Sequence, residues 1–212
     1  MTRIFVFPGQ GSQRPGMGVE LAEAFGTARG VFEEVNDALG EDLFGLMRDG
    51  PEDQLTLTQN AQPALMASSI AVLRVLEAES GRTIGDMATM VAGHSLGEYS
   101  ALVAAGALPV DVTARLLRLR GQAMQEAVPV GEGTMAAVLG LEVDTVTEIA
   151  AEASSVGVCA VANDNSPGQV VVSGAVAAVE RAAELAKERG ARCAMMLPVS
   201  APFHCPMMQP AA

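Results

Sequence analysis

Ser95 lies in Val91-Ala92-Gly93-His94-Ser95-Leu96-Gly97-Glu98-Tyr99, where an apolar stretch runs into Gly-x-Ser-x-Gly and leaves it as a helix. This is the pattern of a nucleophile elbow, a serine exposed on a sharp strand-to-helix turn. Glycines at 93 and 97 fit it, because such a turn crowds the chain at two positions and tolerates no side chain there. Alone the pattern is unspecific, so its context decides. A serine nucleophile needs a base, and the chain has two histidines. His94 is adjacent to Ser95, so the two side chains diverge, and His94 is expected to pack or to support the turn. His204 is the remaining candidate for the base, favoured by elimination over a purely structural histidine, and its distance along the chain is no objection.

Two further groups have chemistry to offer. Pro8-Gly9-Gln10-Gly11-Ser12-Gln13 is a glycine-rich loop after an apolar strand. It is not a nucleotide cradle: Arg14 stands where a dinucleotide fingerprint needs its third glycine, and no Gly-Lys-Ser/Thr follows. What remains is backbone that can approach a ligand closely, with N–H groups as donors. Arg120 has Leu116, Leu117, Ala123 and Met124 as its helical neighbours, so its guanidinium leaves an apolar stripe and must find an anion or many acceptors. A structural ion pair and a substrate carboxylate are both open. Arg115 and Arg118, with Ala114, Gly121 and Gln122, read as the solvated side of the same helix. Gln62, just before Pro63, reads as a helix-entry residue or as a site residue.

The elements that must position these groups follow from patterning. Ile4-Phe5-Val6-Phe7 reads as a strand buried on both faces of a parallel sheet, and 87–92 as a second short buried strand. Helices are expected near 19–25, from Ala61-Gln62-Pro63 onward, over 98–105, and from Pro109 to about Ala127. From Gly131 the texture becomes strand 134–141, helix 144–153, strand 156–162, turn Asn165-Ser166-Pro167-Gly168, strand 169–173, helix 176–189 and strand 193–199. That β-α-β-β-α-β order predicts an inserted ferredoxin-like small subdomain over 131–199, with 1–130 and 200–212 forming the large one.

Composition narrows the classes. Half of the 212 residues are hydrophobic and the mean hydropathy is +0.29, enough for a sizeable core. A net charge of −12, a pI near 4.5 and the single lysine Lys187 argue against nucleic acid or an anionic membrane as partner. Cys159, Cys193 and Cys205 are odd in number and widely spaced, so neither a disulfide framework nor a metal site is expected, and a cytoplasmic compartment is the default. The lead Met1-Thr2-Arg3 and the four apolar residues after it are too short for a signal peptide, and no run approaches a membrane span. Lys187, Arg189 and Arg192 form the densest basic cluster, readable as a solvated helix end or as a face for an acidic partner.

Six stretches, in order along the chain, jointly resemble the malonyl-CoA:acyl carrier protein transacylases of fatty-acid and polyketide synthesis. They are 7–13 (Phe-Pro-Gly-Gln-Gly-Ser-Gln), 62–65 (Gln-Pro-Ala-Leu), 93–101 (Gly-His-Ser-Leu-Gly-Glu-Tyr-Ser-Ala), 120–125 (Arg-Gly-Gln-Ala-Met-Gln), 165–170 (Asn-Ser-Pro-Gly-Gln-Val) and 198–204 (Pro-Val-Ser-Ala-Pro-Phe-His). The resemblance implies an α/β fold, with an α/β-hydrolase-like large subdomain carrying the small one. It implies Ser95 as the acylated nucleophile, His204 as general base and acid, and the backbone N–H groups of Gln10 and Leu96 as the oxyanion hole. Arg120 becomes the carboxylate clamp, with Gln62, Met124, Asn165 and Phe203 as further substrate contacts; Phe203 is similar to malonyl-selective members. The substrates implied are malonyl-CoA and the phosphopantetheine thiol of an acyl carrier protein, with no permanently bound cofactor and no metal.

The chain ends at Ala212, shortly after His204. The resemblance places further core strands, and a main-chain carbonyl that orients the histidine, in a segment beyond that point or in a second chain. The piece by itself is therefore expected to be poorly soluble and weakly active. Two rival readings stay open: a serine esterase or thioesterase on the same elbow, disfavoured by the absence of a His-Gly-Gly-Gly oxyanion motif, and a non-catalytic carrier-binding fragment.

Overall fold

The structure, a computed structural model, describes residues 3–212; Met1 and Thr2, which open the N-terminal lead, lie outside the described residues. The chain divides into two compact units, one ending at Gln122 and one over Ala123–Ala212.

In the first unit, β1 (Ile4–Phe7) is followed by α1 (Val19–Ala24), α2 (Gly26–Leu39), α3 (Leu43–Asp49), α4 (Glu52–Thr56), α5 (Thr58–Ser80), α6 (Ile84–Met87), β2 (Met90–Gly93) and α7 (Gly97–Ala104), and α8 (Val110–Ala127) begins. β1 and β2 pair in parallel, Ile4 with Met90 through Phe7 with Gly93. The core gathers around α5, where Leu65, Met66, Ile70 and Leu73 are buried with Val31, Phe32 and Val35 of α2 and Val103 of α7. Phe32 stacks on Phe44 of α3 with ring centroids 4.4 Å apart.

Four sequence expectations change here. β1 is a parallel strand, but only one of its faces is covered: Phe7 is buried whereas Ile4 and Val6 are 53% and 70% exposed. The period-2 alternation of the strand sends both to one side, the exposed one. The second strand is shorter than expected, because Ile84–Met87 is a helical turn held by a Thr83–Asp86 capping box, and Met90 is exposed. The helix expected to open at Ala61 opens instead at Thr58, with Pro63 inside it. Proline has no N–H for the carbonyl four residues back; that carbonyl, Gln59 O, accepts from Arg118 Nη1 at 2.7 Å instead. Arg118 is accordingly not on a solvated face. Its side chain is 13% exposed and also bonds Asn60 and Glu41, and burial lowers its pKa.

Small residues rather than solvent explain that face. Ala114 is wholly buried, and a Cβ on Gly121 would lie 2.4 Å from Gln59 Cα and 2.9 Å from Thr58 O. α8 therefore crosses α5 with its backbone against the first turn, a spacing only glycine permits.

In the second unit, β3 (Gly133–Leu139), α9 (Val143–Ala153), a 3-10 turn at Ser154–Val156, β4 (Cys159–Ser166), β5 (Gln169–Ala175), α10 (Val176–Glu188) and β6 (Cys193–Met196) follow one another. The sheet has the order β4-β5-β3-β6 and is antiparallel throughout, as the expected β-α-β-β-α-β unit requires. Alternation sorts its residues. Ala136, Val138, Val170 and Val172 face α9 and α10 through Val146, Ile149, Val179 and Leu185. Met135, Ala137 and Val171 face the other way, onto Met124, Val128, Ala201, Phe203 and Met208. Both faces are covered, which is why β3 and β5 read as nearly continuous apolar runs.

The three cysteines are free thiols, and burial pushes that of Cys159 up to about 11, as befits a core residue rather than a nucleophile. No helix among the described residues is long and apolar enough to cross a membrane.

Candidate functional site

Ser95 sits between β2 and α7 with φ 52, one of two non-glycine residues in the left-handed region among the described residues. Such a conformation costs about 1–3 kcal/mol and persists only where the surroundings over-determine it. They do so here. A Cβ on Gly93 would come within 2.0 Å of the Gly97 carbonyl and 2.2 Å of Glu98 N; one on Gly97 would come within 2.3 Å of Phe7 O. The turn is thus closed backbone to backbone, and β1 lies against the start of α7. His94 donates its backbone N–H to Phe7 O at 3.0 Å, and its ring lies where a Cβ on Gly9 would be, 2.5 Å from Nδ1. It packs on the glycine-rich loop, as its place beside Ser95 suggests.

Leu96, wholly buried, precedes the first residue of α7, where helix geometry leaves N–H groups without intrahelical partners. Gln10 lies on the loop after β1. Neither amide is committed to a backbone carbonyl among the described residues. Two N–H donors, one from a helix start and one from a loop, are the parts from which an oxyanion site is made.

Arg120 comes to the same place from α8. Its Nη1 donates to Gln62 Oε1, and its Nη2 lies 3.4 Å from Ser95 Oγ, at the limit of hydrogen bonding. Its Cζ is 5.8 Å from the centroid of the Tyr99 ring. Burial lowers its pKa, opposed by Tyr99 and Glu98. No carboxylate forms a salt bridge with it among the described residues, so of the two readings open in the sequence the structural ion pair is not the one found. The Gln62 amide continues the contact, its Nε2 donating to Thr58 Oγ1 at 2.8 Å. Thr58 in turn donates to Gln10 Oε1 at 3.0 Å. Ser95, Leu96, Gln10, Gln62 and Arg120 therefore gather in the first unit. Thr58 joins them and was not singled out from the sequence. Its signal is a spacing of four from Gln62, visible only once the helix is known to start at 58.

The remaining residues lie in the second unit. His204 is exposed, has φ 57, and is carried on a segment pinned to its own sheet. Leu197 N donates to Met135 O at 2.9 Å, Gln125 Nε2 to Ser200 O at 3.2 Å, and the Pro202 ring fills the space of the missing Gly133 Cβ. Phe203 and Met124 are buried in the cluster beneath that segment. Asn165 is exposed in a bulge of β4, between the pairs Asp164–Val170 and Ser166–Gln169. In the basic cluster, Arg189 is paired with Glu148 and Glu152 of α9, so α9 neutralises part of that face.

A profile of the acyl transferase domain family matches residues 4–212. The malonyl CoA-acyl carrier protein transacylase of Bacillus subtilis (strain 168) is 50% identical over 214 residues, covering 100% of this chain and 66% of the relative. Among solved structures, an acyl-carrier-protein-S-malonyltransferase from Bartonella henselae superposes with a TM-score of 0.94 at 57% identity, over 100% of this chain and 67% of that one. A malonyl-transacylase in complex with its type II PKS acyl-carrier protein gives 0.93 at 45% identity, again over 100% and 67%. The chain spans about two thirds of the length of the curated relatives it matches.

Proposed function

We propose that this chain, which belongs to the acyl transferase domain family, transfers a malonyl group from malonyl-CoA to the phosphopantetheine thiol of an acyl carrier protein. The observation that carries the reading is the Arg120 guanidinium, without a carboxylate salt bridge among the described residues and 3.4 Å from the hydroxyl of a strained elbow serine. A donor fork so close to the nucleophile suits an acyl group whose carboxylate lies one methylene beyond the reacting carbonyl.

In this mechanism Ser95 Oγ attacks the thioester carbonyl as His204 takes its proton, and the amides of Gln10 and Leu96 hold the oxyanion. Collapse expels the CoA thiolate, which His204 protonates, leaving malonyl-Ser95. The carrier thiol then gives its proton to His204 and attacks the ester, and Ser95 leaves with that proton. Gln62 orients Arg120, while Met124, Phe203 and Asn165 are proposed to shape the acyl and pantetheine path. The division into a large subdomain of 1–130 with 200–212 and a small one of 131–199 belongs to this proposal, since His204 must serve Ser95. So do a cytoplasmic setting, supported by the free thiols, and a further segment or second chain that orients His204, supported by the greater length of the relatives.

Initial rates with both substrates varied test the reading. Parallel double-reciprocal lines, with CoA released before the carrier is added, are expected of the acyl-serine route. Intersecting lines, or steady hydrolysis of malonyl-CoA that the carrier does not divert, would favour direct transfer or an esterase.

A further inference from the structure

Arg120, Gln62, Thr58 and Gln10, beside Ser95, are joined in a line whose proton order is set from one end. Arg120 has only donors, so the oxygen of the Gln62 amide must face it and Nε2 must point away. That nitrogen donates to Thr58 Oγ1 at 2.8 Å. With one lone pair so used, the hydroxyl proton goes to Gln10 Oε1, 3.0 Å away. Thr58 is 0% exposed, and although it is the first residue of α5, the helix has no side-chain cap bond at Leu57. Its hydroxyl serves Gln62 and Gln10, not the helix end. The approach of Gly121 to Thr58 O and Gln59 Cα leaves the backbone there no room to shift and offer a substitute.

We propose that Thr58 is a positioning residue that ties the Arg120 clamp to the loop carrying Gln10, so that guanidinium and oxyanion amide are held in register through one hydroxyl. The inference rests on the acyl-transfer reading above. Thr58→Val keeps the shape and removes the hydroxyl; Thr58→Ser keeps the hydroxyl and removes a methyl. In the full-length protein, single-turnover malonyl loading of Ser95, followed by intact mass, is expected to slow roughly tenfold or more in the valine variant and to stay within about threefold in the serine variant. The side-chain amide protons of Gln62, followed by NMR, are expected to lose exchange protection with valine and keep it with serine.

If valine loads as fast as wild type, or serine falls as far as valine, the positioning role is overturned while the acyl-transfer reading stands. If the wild-type protein takes no malonyl group, both are overturned. Should the valine variant not fold, Thr58→Cys, similar in size with a feeble donor, is compared with serine in the same way.

Discussion

Arg120→Ala is expected to lower kcat/KM for malonyl-CoA by about 30- to 4000-fold more than it lowers transfer of an acetyl group. Truncating one partner of a partly buried, hydrogen-bonded charge pair costs about 2–5 kcal/mol, and each 1.4 kcal/mol is roughly tenfold. The alanine variant also leaves Gln62 Oε1 without the donor it has in the native protein, a loss common to both substrates and therefore cancelled in their ratio. Arg120→Lys keeps the charge but not the fork, and should fall in between. Competition kinetics with malonyl- and acetyl-CoA give the ratio directly. Equal losses for both would make Arg120 a structural strut between α8, α5 and α7 instead of a carboxylate clamp.

Gly93→Ala should be comparably severe, for a different reason. The added Cβ would lie 2.0 Å from the Gly97 carbonyl and 2.2 Å from Glu98 N, and these are backbone atoms at the start of α7. Only opening the elbow relieves the clash, which would release Ser95 from φ 52 and move its hydroxyl relative to the Leu96 amide. Overpacking typically costs 1–3 kcal/mol where side chains can yield; here backbone must yield, so about 3 kcal/mol and a Tm fall of roughly 6–12 °C are expected. Gly30→Ala is the control. A Cβ there meets nothing, α2 should gain up to about 1 kcal/mol, and loading of Ser95 should not change. Thermal melts of the two variants, with loading measured on each, check the contrast; a Gly93→Ala protein as stable and active as wild type would mean that the elbow is not closed this way.

The elbow was legible because its physics is local: two glycines four apart around a serine mark a turn that permits no Cβ. The β-α-β-β-α-β unit was legible for a similar reason, since period-2 and helical patterns alternate over 131–199 without ambiguity. The errors share one source, the meaning of residues at helix contacts. Proline favours the first turn of a helix, so Pro63 suggests a start there, but Arg118 satisfies the carbonyl that proline abandons, and the helix runs back to Thr58. The small or charged residues Ala114, Arg118 and Gly121 suggest a solvated face, whereas the smallness of Ala114 and Gly121 is what admits α5 and Arg118 bonds its first turn. Thr58 is therefore not legible in the sequence, because its partners are apparent only when α5 begins at Thr58 and α8 lies against it. Ile4 and Val6 show the limit in the other direction: apolar run and strand were correctly linked, but what covers a face is not written in the strand itself.

Acyl transfer by this route requires that malonyl be carried on Ser95. Peptide mapping of the full-length protein, quenched within one turnover after mixing with malonyl-CoA, tests it most directly. One malonyl ester per chain is expected, located on the peptide that contains Ser95, absent from Ser95→Ala, and discharged when carrier protein is added. A protein that transfers malonyl to the carrier with no adduct on that peptide, or a Ser95→Ala variant that still transfers at the wild-type rate, would contradict it.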